Sequence, residues 1–324
     1  MSSTPVVLTH ALTEKNQFYR LIEQFLASQD VTQGSRNTYR SALRQFFGWF
    51  SENNITNPTR ETILEFKEFL DAKGLRPFTR SGYMVAVRRF FEWAETLKLY
   101  PNIAKGIKGA RRAVKTHQKN ALTVDQIEKL LSSIDTNNLA GKRDFALINL
   151  LFRTGLRLIE IKRAQICDLE FRDDDDGALL WIRGKGRDGK DDFVVVTEDA
   201  LEPLRHYLRE RKSKNVQEPL FASLSDRNYG KYITTFSLSR LIKNRLRAAG
   251  IESKRITAHS LRHTFGVMAI QAGASLYEVQ LAMRHTAPTT TEIYLGDIER
   301  SKRLEGGPEK RIGALFRKIP HDKN

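Results

Sequence analysis

Three histidines (His259, His263, His285), two arginines (Arg262, Arg284) and the tyrosine Tyr294 fall between Thr257 and Gly296, in largely apolar, helical text. A stable core does not require that mixture. A site that holds a phosphate and attacks it does. An arginine grips a phosphate through two parallel N–H donors, and two arginines from separate helices can clamp both non-bridging oxygens. Such a clamp neutralises the charge that grows in a pentavalent transition state. A tyrosine adds a nucleophile, weak at neutral pH unless a base or a cationic field lies nearby. Two histidines four apart could also belong to a zinc helix of metalloprotease type. That motif needs a glutamate directly after the first histidine, and Ser260 occupies the position. Core histidines satisfied by backbone would suit His263 alone, but not the whole set.

The elements that must position these residues can be read backwards from them. With Ser260 starting a helix, positions 259, 262 and 263 share one side of it. Upstream, residues 143–152 (RDFALINLLF) form a buried helix that Gly155 breaks, and a new helix starts with Arg157 in its first turn. Glu160, three residues on, can orient the Arg157 guanidinium. The clear β text is residues 178–183 and 193–197, a hairpin around the basic tip GKGRDGK, which holds Lys185, Arg187 and Lys190. Thr123 and Gln126 form a capping box at the head of this region. Helices resume near 201–212 and 237–249. Cys167, in apolar text read as helical, is expected to be a small core residue.

The first hundred residues are organised differently. Apolar residues recur at helical spacing in four runs, beginning at Asn16, Ser35, Thr59 and Pro77, with no strand signal, so an all-α bundle is expected. Arg36, Arg40 and Arg44 lie four apart on the second helix, and Arg76, Arg80, Arg88 and Arg89 dress the fourth. Any one could be ordinary solvated surface. Two such rows fit a face laid on a phosphate backbone, where each contact releases counterions. Residues 105–119, with Lys108, Arg111 and Arg112 among six Lys/Arg and no acid, read as a basic linker.

The whole chain agrees with this division. Its 324 residues suffice for two cores. A formal charge of +16 spread along the chain favours a polyanion partner, most often nucleic acid. No apolar run approaches the length of a membrane span, and the start lacks a signal peptide. One cysteine excludes an intrachain disulfide and fits a reducing cytoplasm. The boundaries expected are a leader at 1–14, a helical DNA-binding domain at 15–104, the linker at 105–119, a catalytic domain at 120–300 and a tail at 301–324.

Gly155-Leu156-Arg157-Leu158-x-Glu160, Gly184-Lys185-Gly186, His259-x-Leu261-Arg262-His263, His285 and Tyr294 occur in that order. In this the sequence resembles the tyrosine recombinases, the phage integrases and Xer-type enzymes, from about residue 120 to 296, with the basic bundle matching their core-binding domain. The resemblance implies a mainly α protein: a four-helix SAM-like core-binding domain, then a mixed catalytic domain with a small antiparallel sheet, the DNA breaking-rejoining fold. It implies a site-specific recombinase in which Arg157 and Arg262 bind the scissile phosphate. Lys185 would protonate the leaving 5′-oxygen, His259 would assist proton transfer, His285 would support the transition state, and Tyr294 would attack. The bond energy stays in the 3′-phosphotyrosyl link, so neither cofactor nor metal is implied. Double-stranded DNA carrying a specific recombination site, a homotetramer on two duplexes, possible accessory proteins and no membrane are the implied partners.

Two departures are visible. The family's Leu-Gly-His before the tyrosine is Met283-Arg284-His285 here, so a different turn is expected. The hairpin runs GKGRDGKDD, which makes Lys190 a second candidate acid beside Lys185. After Gly306-Gly307-Pro308, a short apolar stripe (Ile312, Leu315, Phe316) would suit an end exchanged between protomers. The short leader leaves no room for an extra arm-binding domain. Two other readings remain: a type IB topoisomerase, told apart by the absence of a synapsed tetramer, and a non-enzymatic regulator, which predicts a broken catalytic set.

Overall fold

The computed structural model describes residues 15–109, 120–172, 177–183, 189–190, 192–213, 215–285, 291–292, 294, 296 and 309–312. The leader, Arg111, Arg112, Lys185, Arg187 and the acidic run 173–176 lie outside them. The chain divides into two compact units, Met1–Lys115 and Thr116–Asn324.

The first unit contains α1 (Lys15–Ser28), α2 (Gln33–Glu52), α3 (Arg60–Ala72) and α4 (Pro77–Thr96). Each helix begins where local chemistry dictates. The Thr32 hydroxyl accepts the Ser35 N–H to cap α2, two residues earlier than the sequence expectation. Pro77 opens α4 with its φ already helical. The core is aromatic: Phe25, Phe46, Phe50, Phe66, Phe90 and Phe91 are buried, and Phe46 meets Phe66 edge-on at 4.8 Å. Such pairs add about 0.5–1.5 kcal/mol beyond their buried area.

The second unit contains α5 (Val124–Ser132), α6 (Leu139–Thr154), α7 (Leu158–Arg163), β1 (Leu169–Phe171), β2 (Ala178–Ile182), β3 (Asp192–Val196), α8 (Glu198–Arg211), α9 (Thr235–Ala248), α10 (Ala258–Gln271) and α11 (Leu276–Met283). The capping box at Thr123 and Gln126 is present. The sheet is antiparallel in the order β1-β2-β3, with Leu180 opposite both Leu169 and Val194. Ala178, Leu180, Ile182, Val194 and Val196 point into the core. β1 carries no alternation long enough to announce a strand; pairing with β2 defines it. Cys167 lies in a single 3-10 turn, Ile166–Asp168, rather than a longer helix, and is half-buried. Among the described residues, no helix is long and apolar enough to cross a membrane.

α6 is buried almost all round and forms the spine of this unit. It starts four residues before the apolar run, where the Asn138 side chain accepts the Gly141 N–H. It stops at Gly155, which adopts φ +63. A Cβ there would sit 2.6 Å from Phe265 Cδ1, so only glycine lets the end of α6 approach α10 this closely.

Candidate active site

The site grows from the end of α6. Two residues after Gly155, Arg157 occupies the N-cap of α7, with extended backbone, one position earlier than a first-turn placement. Glu160 folds back on it. One carboxylate oxygen accepts the Arg157 backbone N–H at 2.7 Å, and the other accepts Arg157 Nη1 at 2.9 Å. Arg157 Nη2 donates to the Arg284 carbonyl at 3.0 Å.

Arg262 reaches the same turn from α10. It is 3 % exposed, and its Nη2 donates to the Met283 carbonyl at 2.5 Å, while its Nη1 donates to the Gly155 carbonyl. Burial first, and then the Arg157 charge, depress its pKa to about 10, so it remains cationic at neutral pH. The two arginines expected to act together therefore converge on the Met283–Arg284 turn.

The turn itself corrects an expectation. Arg284 sits at the C-cap of α11 with φ +55 and ψ +49, the left-handed geometry a glycine would take. The arginine does not change the kind of turn. Its side chain crosses to Glu160, donating Nη2 to Oε2 at 2.8 Å. Burial works against ionisation of Glu160, but the Arg284 charge and the hydrogen bonds from Arg157 outweigh it and hold the carboxyl below its usual range. Arg157, Arg262 and Arg284 face this one carboxylate, with Asp192 further off, 3.9 Å from Arg284 Nε. Among the described residues, three guanidiniums against Glu160 and the more distant Asp192 leave a positive surplus at the centre, which suits an anion.

Tyr294 lies in this neighbourhood, buried at 2 % exposure. Its ring stacks on His263 at 4.9 Å and on His285 at 6.1 Å. His285 Nδ1 is 2.9 Å from the Thr291 hydroxyl, which fixes the imidazole. Gly266 makes room for the tyrosine: a Cβ there would lie 3.0 Å from Tyr294 Cζ and 3.0 Å from Met283 Sδ. His259, one turn before His263, is exposed near the start of α10, whereas Arg262 and His263 are buried. The structure thus brings together Arg157, Glu160, Arg262, His263, His285 and Tyr294, and adds Arg284, Gly266 and Thr291. The displaced glycine of the Leu-Gly-His motif was the signal that could have marked Arg284. Where the hairpin tip returns to β3, Lys190 pairs with buried Asp168.

The phage integrase family model matches residues 120–299, and the model for the phage integrase N-terminal SAM-like domain matches residues 20–98. The chain belongs to the phage integrase family. It is 30% identical to the tyrosine recombinase XerD of Listeria monocytogenes over 85% of this chain and 93% of that protein. It is 28% identical to XerD of Pseudomonas putida, over 85% and 91%. The fold resembles that of the XerH site-specific recombinase bound to palindromic difH substrate (TM-score 0.71, 23% identity, 92% of this chain and 85% of that one). It also resembles a lambda integrase(75-356) dimer bound to a COC' core site (TM-score 0.65, 17% identity, 86% and 94%). As a tyrosine recombinase, the chain is an enzyme.

In the SAM-like unit of this recombinase the arginine rows are partly spoken for. Arg36 Nη2 donates to the Gln29 carbonyl at 3.1 Å, and Arg40 makes a two-pronged pair with Glu23, both contacts 2.7 Å. Arg80 pairs with Asp71, and Arg88 Nε donates to the Met84 carbonyl at 3.4 Å. Arg44, Arg76, Arg89 and Lys108 are exposed. Arg44 stacks over Tyr19 at 5.5 Å, and Arg89 over Tyr39 at 6.0 Å. Arg40 and Arg44 line one open basin with Asn37, Ser41, Gln45 and Tyr83. Arg88, Arg89 and Lys105 line another.

Proposed function

We propose that this tyrosine recombinase cuts and rejoins duplex DNA at a specific recombination site through a 3′-phosphotyrosyl link, exchanging strands between two sites. One observation carries the reading. Two arginines from separate helices bind successive carbonyls of the turn that leads to a buried tyrosine stacked with two imidazoles. A phosphodiester entering this pocket would meet a cationic clamp and a nucleophile already fixed in direction. Charge preorganised in this way lowers the barrier to such reactions more than any other single effect.

In the proposed step the Tyr294 oxygen attacks phosphorus, and the bond from phosphorus to the 5′-oxygen breaks. Arg157 and Arg262 balance the charge on the non-bridging oxygens, with His285 as a further donor. His259 takes up the phenol proton, and His263, stacked on the ring at 4.9 Å, sets its orientation. The 5′-oxygen leaves as a hydroxyl after receiving a proton from Lys185. Lys190 is held by Asp168, which favours Lys185 for that role. A 5′-hydroxyl from the partner duplex then attacks phosphorus and releases the tyrosine. Because the link preserves the ester bond, no external energy source enters.

Arg44, Arg76, Arg89 and Lys108, with Arg36, Arg40, Arg80 and Arg88 behind them, would grip the phosphate backbone; Arg111, Arg112 and Arg187 would extend that grip. The working assembly would be a homotetramer on two duplexes in the cytoplasm, serving integration and excision of a mobile element or resolution of chromosome dimers.

The test uses nicked duplexes made from DNA flanking the gene. The parent protein is expected to form a covalent adduct that survives detergent. Tyr294→Phe should bind the same duplexes as tightly and form none. An adduct from the variant would show that another residue is the nucleophile.

A further inference from the structure

The family's usual glycine before the position of His285 is an arginine in this chain, and its placement asks for a reason. A left-handed residue at a helix C-cap is most easily a glycine. Arg284 adopts that conformation with a side chain only 10% exposed. Among the described residues, its guanidinium makes two hydrogen bonds and faces a second carboxylate through Nε, which has no hydrogen-bond partner of its own. Nη2 donates to Glu160 Oε2 at 2.8 Å, Nη1 donates to the Ala282 carbonyl at 2.7 Å, and Nε faces Asp192 Oδ2 at 3.9 Å. Its carbonyl accepts Arg157 Nη2 at 3.0 Å. One residue thus touches Arg157 directly through its backbone and indirectly through Glu160.

Geometry shows what this does. Glu160 Oε2 also receives the Arg157 backbone N–H at 2.7 Å, and Oε1 receives Arg157 Nη1 at 2.9 Å. The carboxylate is therefore shared between two guanidiniums and held from both sides. Its side chain is 1% exposed, so water cannot replace either partner readily. Without the Arg284 fork, the carboxylate could turn on its χ angles and carry Arg157 with it. Asp192 opens β3, the strand that leaves the hairpin tip, so the same guanidinium faces the tip end of the hairpin as well.

We propose that Arg284 is a positioning residue of this site: through Glu160 and its own carbonyl it fixes the guanidinium of Arg157 where the scissile phosphate is to be gripped. The inference rests on the recombinase reading for its consequence, but the linkage itself does not. Removing the fork should displace Arg157 slightly while leaving the DNA-binding surfaces intact, so the loss falls on cleavage and not on binding.

Two variants make the test. Arg284→Gly keeps the left-handed turn without strain and deletes the fork. Arg284→Lys keeps a cation but loses the planar geometry. Single-turnover adduct formation on a nicked duplex that the parent cleaves should fall roughly 10–100-fold in Arg284→Gly. Arg284→Lys should recover part of that loss, and the dissociation constant for the duplex should stay within about threefold of the parent's, since binding draws mainly on phosphate contacts elsewhere. Cleavage at the parent rate by Arg284→Gly would overturn the inference, as would an equal loss of binding and cleavage. A second arm needs no DNA. Thermal unfolding of Arg284→Gly, Glu160→Gln and the double variant should show the two substitutions to be non-additive; strict additivity would overturn the linkage. Should the parent form no adduct on any duplex, the recombinase reading fails, and this cycle still decides whether Arg284 and Glu160 act as a pair.

Discussion

Glu160 is the residue on which the local electrostatics turn. Burial works against its ionisation, yet the Arg284 charge and the hydrogen bonds from Arg157 hold its carboxyl below the ordinary range. The sign of the pH dependence follows. A carboxylate depressed in the folded state stabilises the fold fully above its unfolded value, about 4.3, and loses that contribution as pH falls toward the folded value. Glu160→Gln should therefore be less stable than the parent at neutral pH, with the gap closing as pH falls below about 4. Denaturant titrations of both proteins across that range check this; a constant gap would mean that the charge is not what matters. Arg262 stays charged across the same range, since its depressed value is still about 10.

At the scale of elements, the site depends on how close α6, α10 and α11 approach. Gly155 ends α6 in the left-handed region beneath Phe265 of α10, and its carbonyl receives Arg262. Gly155→Ala would add the left-handed penalty to a steric one, about 2–5 kcal/mol together. Urea unfolding should show that loss, and adduct formation should fall as well because Arg157 follows two residues later. Full stability in the variant would mean that α6 and α10 can separate without cost. The sequence expectation located the break at Gly155, but nothing in it revealed Phe265 above the glycine. Helix starts were legible where a capping side chain announced them, as at Thr123. They were missed by several residues where a polar turn preceded the apolar run, as at Asn138. β1 was not legible at all, because three residues carry no period and its identity comes from β2.

For the whole molecule, the surplus charge of +16 becomes a question of which cations are available. Arg40 spends its fork on Glu23, whereas Arg44 is exposed over Tyr19. Arg44→Ala should shallow the dependence of DNA affinity on salt by about 0.9 in the log–log slope, the value for one phosphate contact. Glu23→Gln should tighten binding, because Arg40 no longer has a competing carboxylate. Fluorescence anisotropy over a salt series measures both. No change of slope in Arg44→Ala would place the DNA-binding face elsewhere on the unit.

Residue type and spacing were enough to point to the two-part organisation, the helical bundle with its basic rows, and a set of candidate site residues. Those signals act over one or two helical turns or in a fixed order along the chain, so a linear pattern holds them. Which groups meet came only from the folded chain. Folding set His263 and His285 against Tyr294, tied Lys190 to Asp168, and sent Arg284 to Glu160 across 124 residues of chain. Such contacts depend on the approach of α6, α10 and α11 and on the direction of the turn after α11, and a linear pattern carries neither. The arginine where the family has glycine could be seen in the sequence. That it keeps the glycine's turn, and uses its side chain to hold the carboxylate behind Arg157, could be seen only in the fold.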